Sequence, residues 1–148
     1  MRFFRRVTEH GLTAYLRLQD RIAYACVDRR AAVPKLLAVG VVPVSGENWK
    51  EALSRLPHKG PVSLVLRPSD YKLRLLDAPN VPADEVKAAV RWQIQDMLDF
   101  HANDGTVDVL EVPHPEHLSH VRQIFAVAAR NSLLAEEAVL ASNAGLNL

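Results

Sequence analysis

Residues 79–100, PNVPADEVKAAVRWQIQDMLDF, decide how the rest of the chain is read. Asn80 can cap a helix and Pro82 suits a first turn. Asp84 and Glu85 place negative charge where a helix dipole favours it. Val86, Ala89, Val90, Ile94 and Met97 recur at helical spacing and form one apolar stripe. Trp92 is off that stripe; at about 100° per residue it points to the far side. A helix with a stripe on one side and a tryptophan on the other touches two things. Either it packs between a sheet and the next element of its own domain, the commoner arrangement, or it rests on a sheet and lends its far face to a cleft for a partner.

The flanks of this helix read as strands. Upstream, YKLRLLDAP alternates, with Tyr71, Leu73 and Leu75 on one side and Lys72 and Arg74 on the other. Before it, VSLVLRP is nearly continuous apolar, the mark of an interior strand, and Pro68, Ser69 and Asp70 make a turn. Downstream, Asn103, Asp104 and Gly105 break the chain before the alternating TVDVLEV. The polar loop HPEHLSH leads to VRQIFAVAAR, a strand that ends fully apolar. Asn131 or Ser132 then caps a last helix, and Gly145 suits its C-terminal cap.

Toward the N-terminus, LTAYLRLQ alternates, with Leu12, Ala14, Leu16 and Leu18 on one face. RIAYACV follows a tight hairpin at Gln19 and Asp20, and KLLAVGVVPV comes third. Short strands separated by turn residues make an antiparallel meander. Trp49, Ala52, Leu53 and Leu56 give the next helix an apolar face that can lie on that meander. The order is βββαβ, then βαββ, then α, without repeat or linker. It predicts a mixed α/β (α+β) chain with two small sheets.

Composition narrows the function classes. At 148 residues and 49% hydrophobic, the chain can build a real core. A net charge of +1 gives no reason to expect a nucleic-acid partner. The single cysteine, Cys26, sits in an apolar run and reads as an inert core thiol, consistent with a reducing, cytoplasmic compartment. No apolar run approaches the ~20 residues needed to cross a bilayer. Residues 1–10 form a basic segment in which Arg2, Arg5 and Arg6 flank Phe3 and Phe4. That segment could rest on an anionic membrane surface, although frayed termini with scattered arginines are commoner.

Chemical motifs are scarce. Neither GxGxxG nor GxxxxGK[ST] occurs, and no serine sits in GxSxG. Asp96, Asp99, Glu136 and Glu137 read as solvated faces. His114, His117 and His120 form the one cluster of metal-ligand type, but Pro113 and Pro115 deny it helical spacing and no cysteine completes it. A polar loop is the better reading, so no metal, cofactor or catalytic residue is expected.

The segment from Tyr71 to Arg130 resembles the inserted subdomain of type IV pilus assembly proteins of the PilM kind. The whole chain resembles the N-terminal half of their relatives in the mannose-sensitive haemagglutinin (MSHA) pilus system. Three features carry the likeness. Arg74 precedes a proline-started helix. That helix has an acidic start at Glu85, Ala89 and Trp92 in its middle, and Phe100 at its end. FAVAAR, Phe125 to Arg130, precedes a helix that ends in AGL, Ala144 to Leu146. The resemblance implies an actin-like (ribonuclease H-like) half, related to the division protein FtsA. Residues 11–148 would be made of a first subdomain, 11–67 plus 131–148, holding a three-stranded meander and helices. Residues 68–130 would be the inserted βαββ subdomain.

One departure bears on activity. Nucleotide-binding members of that superfamily open the first hairpin with a D-x-G-[ST] type loop, whereas this chain reads AYLRLQDRIAY there. Gln19, Asp20 and Arg21 supply no glycine and no hydroxyl, and close approach of backbone to phosphate favours glycine. The chain is therefore expected not to be an enzyme. The resemblance implies a scaffold on the cytoplasmic face of the inner membrane, binding the short cytoplasmic tail of a single-span PilN-like (MshJ-like) protein. A pilus ATPase is a further partner it implies, and a homo-oligomer is open. The partner-binding residues implied are Arg74, Arg91, Trp92 and Gln95. Two alternatives stand beside it: a degenerate actin-like ATP-binding domain, and the cytoplasmic domain of a type II secretion platform subunit.

Overall fold

The structure, a computed structural model, describes residues 11–30, 32–58, 60–112 and 122–148. The chain divides into two units, Met1–Arg67 with Glu136–Leu148, and Pro68–Ala135. The boundary falls inside the last helix.

In the first unit, β1 (Leu12–Arg17), β2 (Arg21–Asp28), β3 (Lys35–Pro43) and β4 (Val62–Val65) form a sheet in the order β3-β2-β1-β4. β1 pairs antiparallel with β2, and β2 with β3, whereas β4 runs parallel to β1. Helices α1 (Trp49–Ser54) and the second part of α3 (Asn131–Asn143) cover one face. Ala52, Leu53, Leu56, Ala141 and Leu146 pack there on Tyr15, Ile22 and Val62. The row on the helix side of β1 is therefore the Tyr15 row. Leu12, Ala14 and Leu16 point the other way, because successive side chains of a strand alternate between faces. The apolar row, Leu12, Ala14 and Leu16, is thus turned from the helices, and the helix side carries Thr13, Tyr15 and Arg17, the reverse of what alternation suggests.

Tyr15 is only 1% exposed, and its hydroxyl finds no hydrogen-bond partner among the described residues. Burial, and then the negative Glu137, push its pKa up to about 12. Glu137 is not on a solvated face as its sequence suggested. It accepts Arg17 Nη1 at 3.0 Å, and the Arg17 guanidinium lies 4.5 Å above the Trp49 ring. An arginine stacked on an aromatic face keeps its edge free for a carboxylate, which selects the buried position for Glu137.

The end of α3 follows from one glycine. Gly145 takes φ +78°, its N–H donates to Ser142 O at 3.0 Å, and Leu146 N–H donates to Ala141 O at 2.9 Å. This paired closure is the Schellman motif, and the residue after the glycine belongs in the core. Leu146 is accordingly 5% exposed, and Asn147 O accepts Val62 N–H at 2.8 Å, tying the segment to β4.

In the second unit, β5 (Tyr71–Asp77), β6 (Gly105–Glu111) and β7 (Gln123–Arg130) form an antiparallel sheet in the order β5-β7-β6. Helix α2 (Val86–Ile94) lays Val86, Val90 and Ile94 on Val107, Ile124, Ala126 and Ala128. The two alanines of β7 let the helix come close, as small side chains do.

The helix is shorter than its sequence suggested. Pro82–Glu85 forms a turn, with Glu85 N–H donating to Pro82 O at 2.9 Å, and Asn80 caps nothing. After Ile94 the chain tightens into a 3₁₀ turn, Gln95–Met97. That tighter winding rotates Met97 out of the stripe, leaving it 46% exposed, and Leu98 joins the core instead. The rows of β5 are also reversed from what hydropathy suggests. Lys72, Arg74 and Leu76 stand opposite Ala128, Ala126 and Ile124 on the α2 side. Leu73 and Leu75 lie on the other face, 43% and 51% exposed.

No helix among the described residues is long and apolar enough to cross a membrane. The cluster His114, His117 and His120 lies outside the described residues.

Candidate functional site

A cleft of about 350 Å³ opens along the outer side of α2 and its 3₁₀ extension. It is built where the chain folds back between Leu98 and Gly105. His101 accepts Asn103 N–H through its ring, starting the short 3₁₀ helix Ala102–Asp104, which turns the chain into β6. Arg91 pins this turn to α2. Its Nη1 donates to Ala102 O at 2.9 Å and to Gly105 O at 3.1 Å, satisfying carbonyls at the end of the turn.

Phe100 forms one wall of the cleft, and Gly105 makes room for it. A Cβ at Gly105 would run into the ring edge of Phe100 and stand 3.3 Å from Ala129 O. Arg130 lies 4.7 Å over the Phe100 ring centroid. Its Nη2 donates to Asp99 O at 2.8 Å and pairs with the Asp99 carboxylate at 3.3 Å. Lys72 Nζ reaches the same carboxylate at 3.2 Å. The hydrogen bond from Lys72, with the charges of Lys72 and Arg130, holds the Asp99 pKa below the usual carboxylate range. This cationic grip fixes the corner from which Phe100 projects.

Three of the four residues singled out by sequence, Arg91, Trp92 and Gln95, line this one cleft. They do different things. Arg91 is half-buried with its guanidinium committed to backbone carbonyls, so it positions the cleft. Trp92 is 71% exposed, a large apolar plate. Gln95, also exposed, offers an amide that can donate and accept. Arg74 does not line the cleft; its Nη1 donates to the neighbouring Leu73 O at 3.1 Å on β5. Asp96, Phe100, His101, Ala102 and Asn103 complete the lining and escaped sequence reading. The one signal was an aromatic five residues before a glycine, a pair that can stack closely.

Chemically the cleft offers a flat apolar platform beside an amide, a carboxylate and an imidazole. That combination suits a peptide with an apolar side chain and exposed backbone groups. A second cleft, of about 280 Å³, lies in the first unit between β1, β2, β3 and Pro57, His58, Gly60 and Pro61. Its polar groups are internally engaged. Thr13 Oγ1 lies 3.0 Å and Cys26 Sγ 3.1 Å from Pro57 O, both as donors.

The fold matches solved structures. A chain of the PilM–PilN type IV pilus biogenesis complex superposes with a TM-score of 0.77 at 18% identity, over 95% of this chain and 46% of that one. The cytoplasmic domain of EpsL, an inner membrane component of the type II secretion system of Vibrio cholerae, gives 0.68 at 16% identity, over 93% and 54%. The chain therefore has the fold shared by these two proteins, and it spans about half the length of each. No protein-family model matches the sequence, and no curated protein matches it.

Proposed function

We propose that this chain is a PilM-like, actin-like half that works as a non-enzymatic scaffold at the cytoplasmic face of the inner membrane. It captures the short cytoplasmic tail of a single-span PilN-like protein. The observation that carries this reading is the fold match to a PilM–PilN complex across 95% of the chain. The sequence features from Arg74 to Phe100 and from Phe125 to Leu146 favour the branch that serves the MSHA pilus, with an MshI-like role and an MshJ-like partner. In this reading the first subdomain is a meander with helices, and the βαββ segment 68–130 is inserted in it. The tail lies along the outer side of α2, with Trp92 taking an apolar side chain and Gln95 bonding its backbone.

A scaffold rather than a nucleotide-binding role is favoured at the first hairpin. There Arg21 Nε and Nη2 hold both oxygens of Asp20, at 2.7 and 2.9 Å. An aspartate gripped by its neighbour is poorly placed to organise Mg²⁺ and phosphate, which need free carboxylate oxygens and close backbone approach. The EpsL match supports a second reading, the cytoplasmic part of a type II secretion platform subunit.

Calorimetric titration distinguishes these. The N-terminal peptide of the adjacently encoded PilN-like protein should bind saturably, and an ATP analogue should give no heat. Heat from the nucleotide and none from the peptide would reverse the assignment. Binding only to a type II secretion partner's tail would favour the second reading.

A further inference from the structure

Among the described residues, two arginines of this chain lie on aromatic rings, and each also holds a carboxylate. Arg17 lies 4.5 Å from the centroid of the Trp49 ring, with its Nη1 3.0 Å from Glu137 Oε1. Arg130 lies 4.7 Å from the centroid of the Phe100 ring, with its Nη2 3.3 Å from Asp99 Oδ1. The device follows from guanidinium geometry. The flat face is weakly hydrated and covers a ring, while the N–H groups in its plane stay free for an anion. Ring and carboxylate share one cation in this way once in each unit.

Trp92 and Asp96 make a third pair of aromatic and carboxylate. They stand four residues apart where α2 passes into its 3₁₀ turn, line the same cleft, and are both exposed. Among the described residues, no cation lies on this ring or pairs with this carboxylate. The neighbouring charges are committed. Arg91 is spent on Ala102 O and Gly105 O, and Asp99 on Lys72 and Arg130. Asp96 is thus the acid left to draw a cation onto the Trp92 ring.

We propose that Trp92 and Asp96 together bind an arginine of the captured tail. The guanidinium lies flat on the indole and donates to the Asp96 carboxylate from its edge. The methylene stem is the apolar part of the side chain that Trp92 takes, since long cationic side chains cover apolar surface while the head stays in water. Lysine fits less well, because an ammonium is a strongly hydrated point charge without a flat face. Gln95 remains available for the tail backbone. The inference rests on tail capture along α2 and adds what the tail must carry.

The test titrates the N-terminal peptide of the adjacently encoded PilN-like protein into the 148-residue chain by calorimetry. That peptide must contain an arginine, and a binding peptide without one overturns the proposal. Asp96→Asn should weaken binding about two- to fivefold, the range of an exposed ion pair. Replacing the peptide's arginines by glutamine in turn should reveal one whose loss weakens binding about tenfold, since the ring contact goes as well. Lysine at that place should fall between. Against the glutamine peptide, Asp96→Asn should have no further effect, which marks direct coupling. Asp84→Asn removes an equal charge outside the cleft lining and should change nothing. Equal affinity of the arginine and glutamine peptides, or independent effects of the two changes, would overturn the arginine assignment and leave tail capture standing. No saturable binding of the unaltered peptide would overturn both.

Discussion

Gly105→Ala is the substitution in which the second unit's packing and its cleft are tested together. The added methyl would overlap the edge of the Phe100 ring and press on Ala129 O, so the ring must leave its place. Overfilling a packed site costs about 1–3 kcal/mol. Displacing Phe100 also breaks its contact with Arg130, an exposed cation–π pair worth about 0.5–1 kcal/mol. The total is about 1.5–4 kcal/mol, measured as a lower urea midpoint by far-ultraviolet circular dichroism. The displaced ring enters the cleft beside Trp92, so tail binding should weaken as well. Phe100→Leu removes the ring edge that collides. Combined with Gly105→Ala it should recover more than about 1 kcal/mol relative to the sum of the single changes, the sign of direct coupling. A Gly105→Ala protein with unchanged midpoint, or effects that simply add, would refute the close packing on which the cleft depends.

Four further outcomes are expected. Tyr15→Phe should raise stability by about 1 kcal/mol, because it removes a buried hydroxyl that has no partner. The same residue sets an alkaline limit: its pKa is raised from 10.0 to about 12, so its contribution is complete below pH 10 and lost as pH climbs toward 12. In urea titrations at several alkaline pH values the Phe variant should show a shallower decline. Gly145→Ala should cost about 1 kcal/mol by forcing a side chain into the left-handed region, with no clash, since open space surrounds the site. Asp99 has its pKa lowered by Lys72, so its contribution is present above the ordinary carboxylate pKa and fades as pH falls through the depressed value. Asp99→Asn should therefore flatten the acid side of the stability profile.

The element order was legible because turn residues punctuate the chain at nearly every boundary. The pairing of Gln19 and Asp20 as a hairpin tip, and the glycine cap at Gly145, came from local chemistry that needs no tertiary context. The facing of strands was not legible. In β1 and β5 the more apolar row lies on the side away from the helices, and only the position of α1, α2 and α3 decides which row is covered. Helix α2 was read too long because Pro82 and the Gln95–Met97 turn obey helical spacing without full helical bonding. The resemblance pointed to the exposed side of α2, which Arg91, Trp92 and Gln95 share. Phe100 to Asn103 could not be grouped with them, because their place in the cleft depends on Arg91 reaching across to Ala102 and Gly105. Arg74 was grouped with them by resemblance, and the structure keeps it on a separate strand.

The most direct measurement uses the two tryptophans as internal reporters. Trp92 stands in solvent at the cleft, whereas Trp49 lies under Arg17 in the other unit. Their indole N–H signals are followed by nuclear magnetic resonance while the cytoplasmic tail peptide of the PilN-like partner is added. The Trp92 signal should move along a saturating curve and the Trp49 signal should stay. Movement of Trp49 alone, or of neither signal at high micromolar peptide with the protein folded, would contradict tail capture along α2.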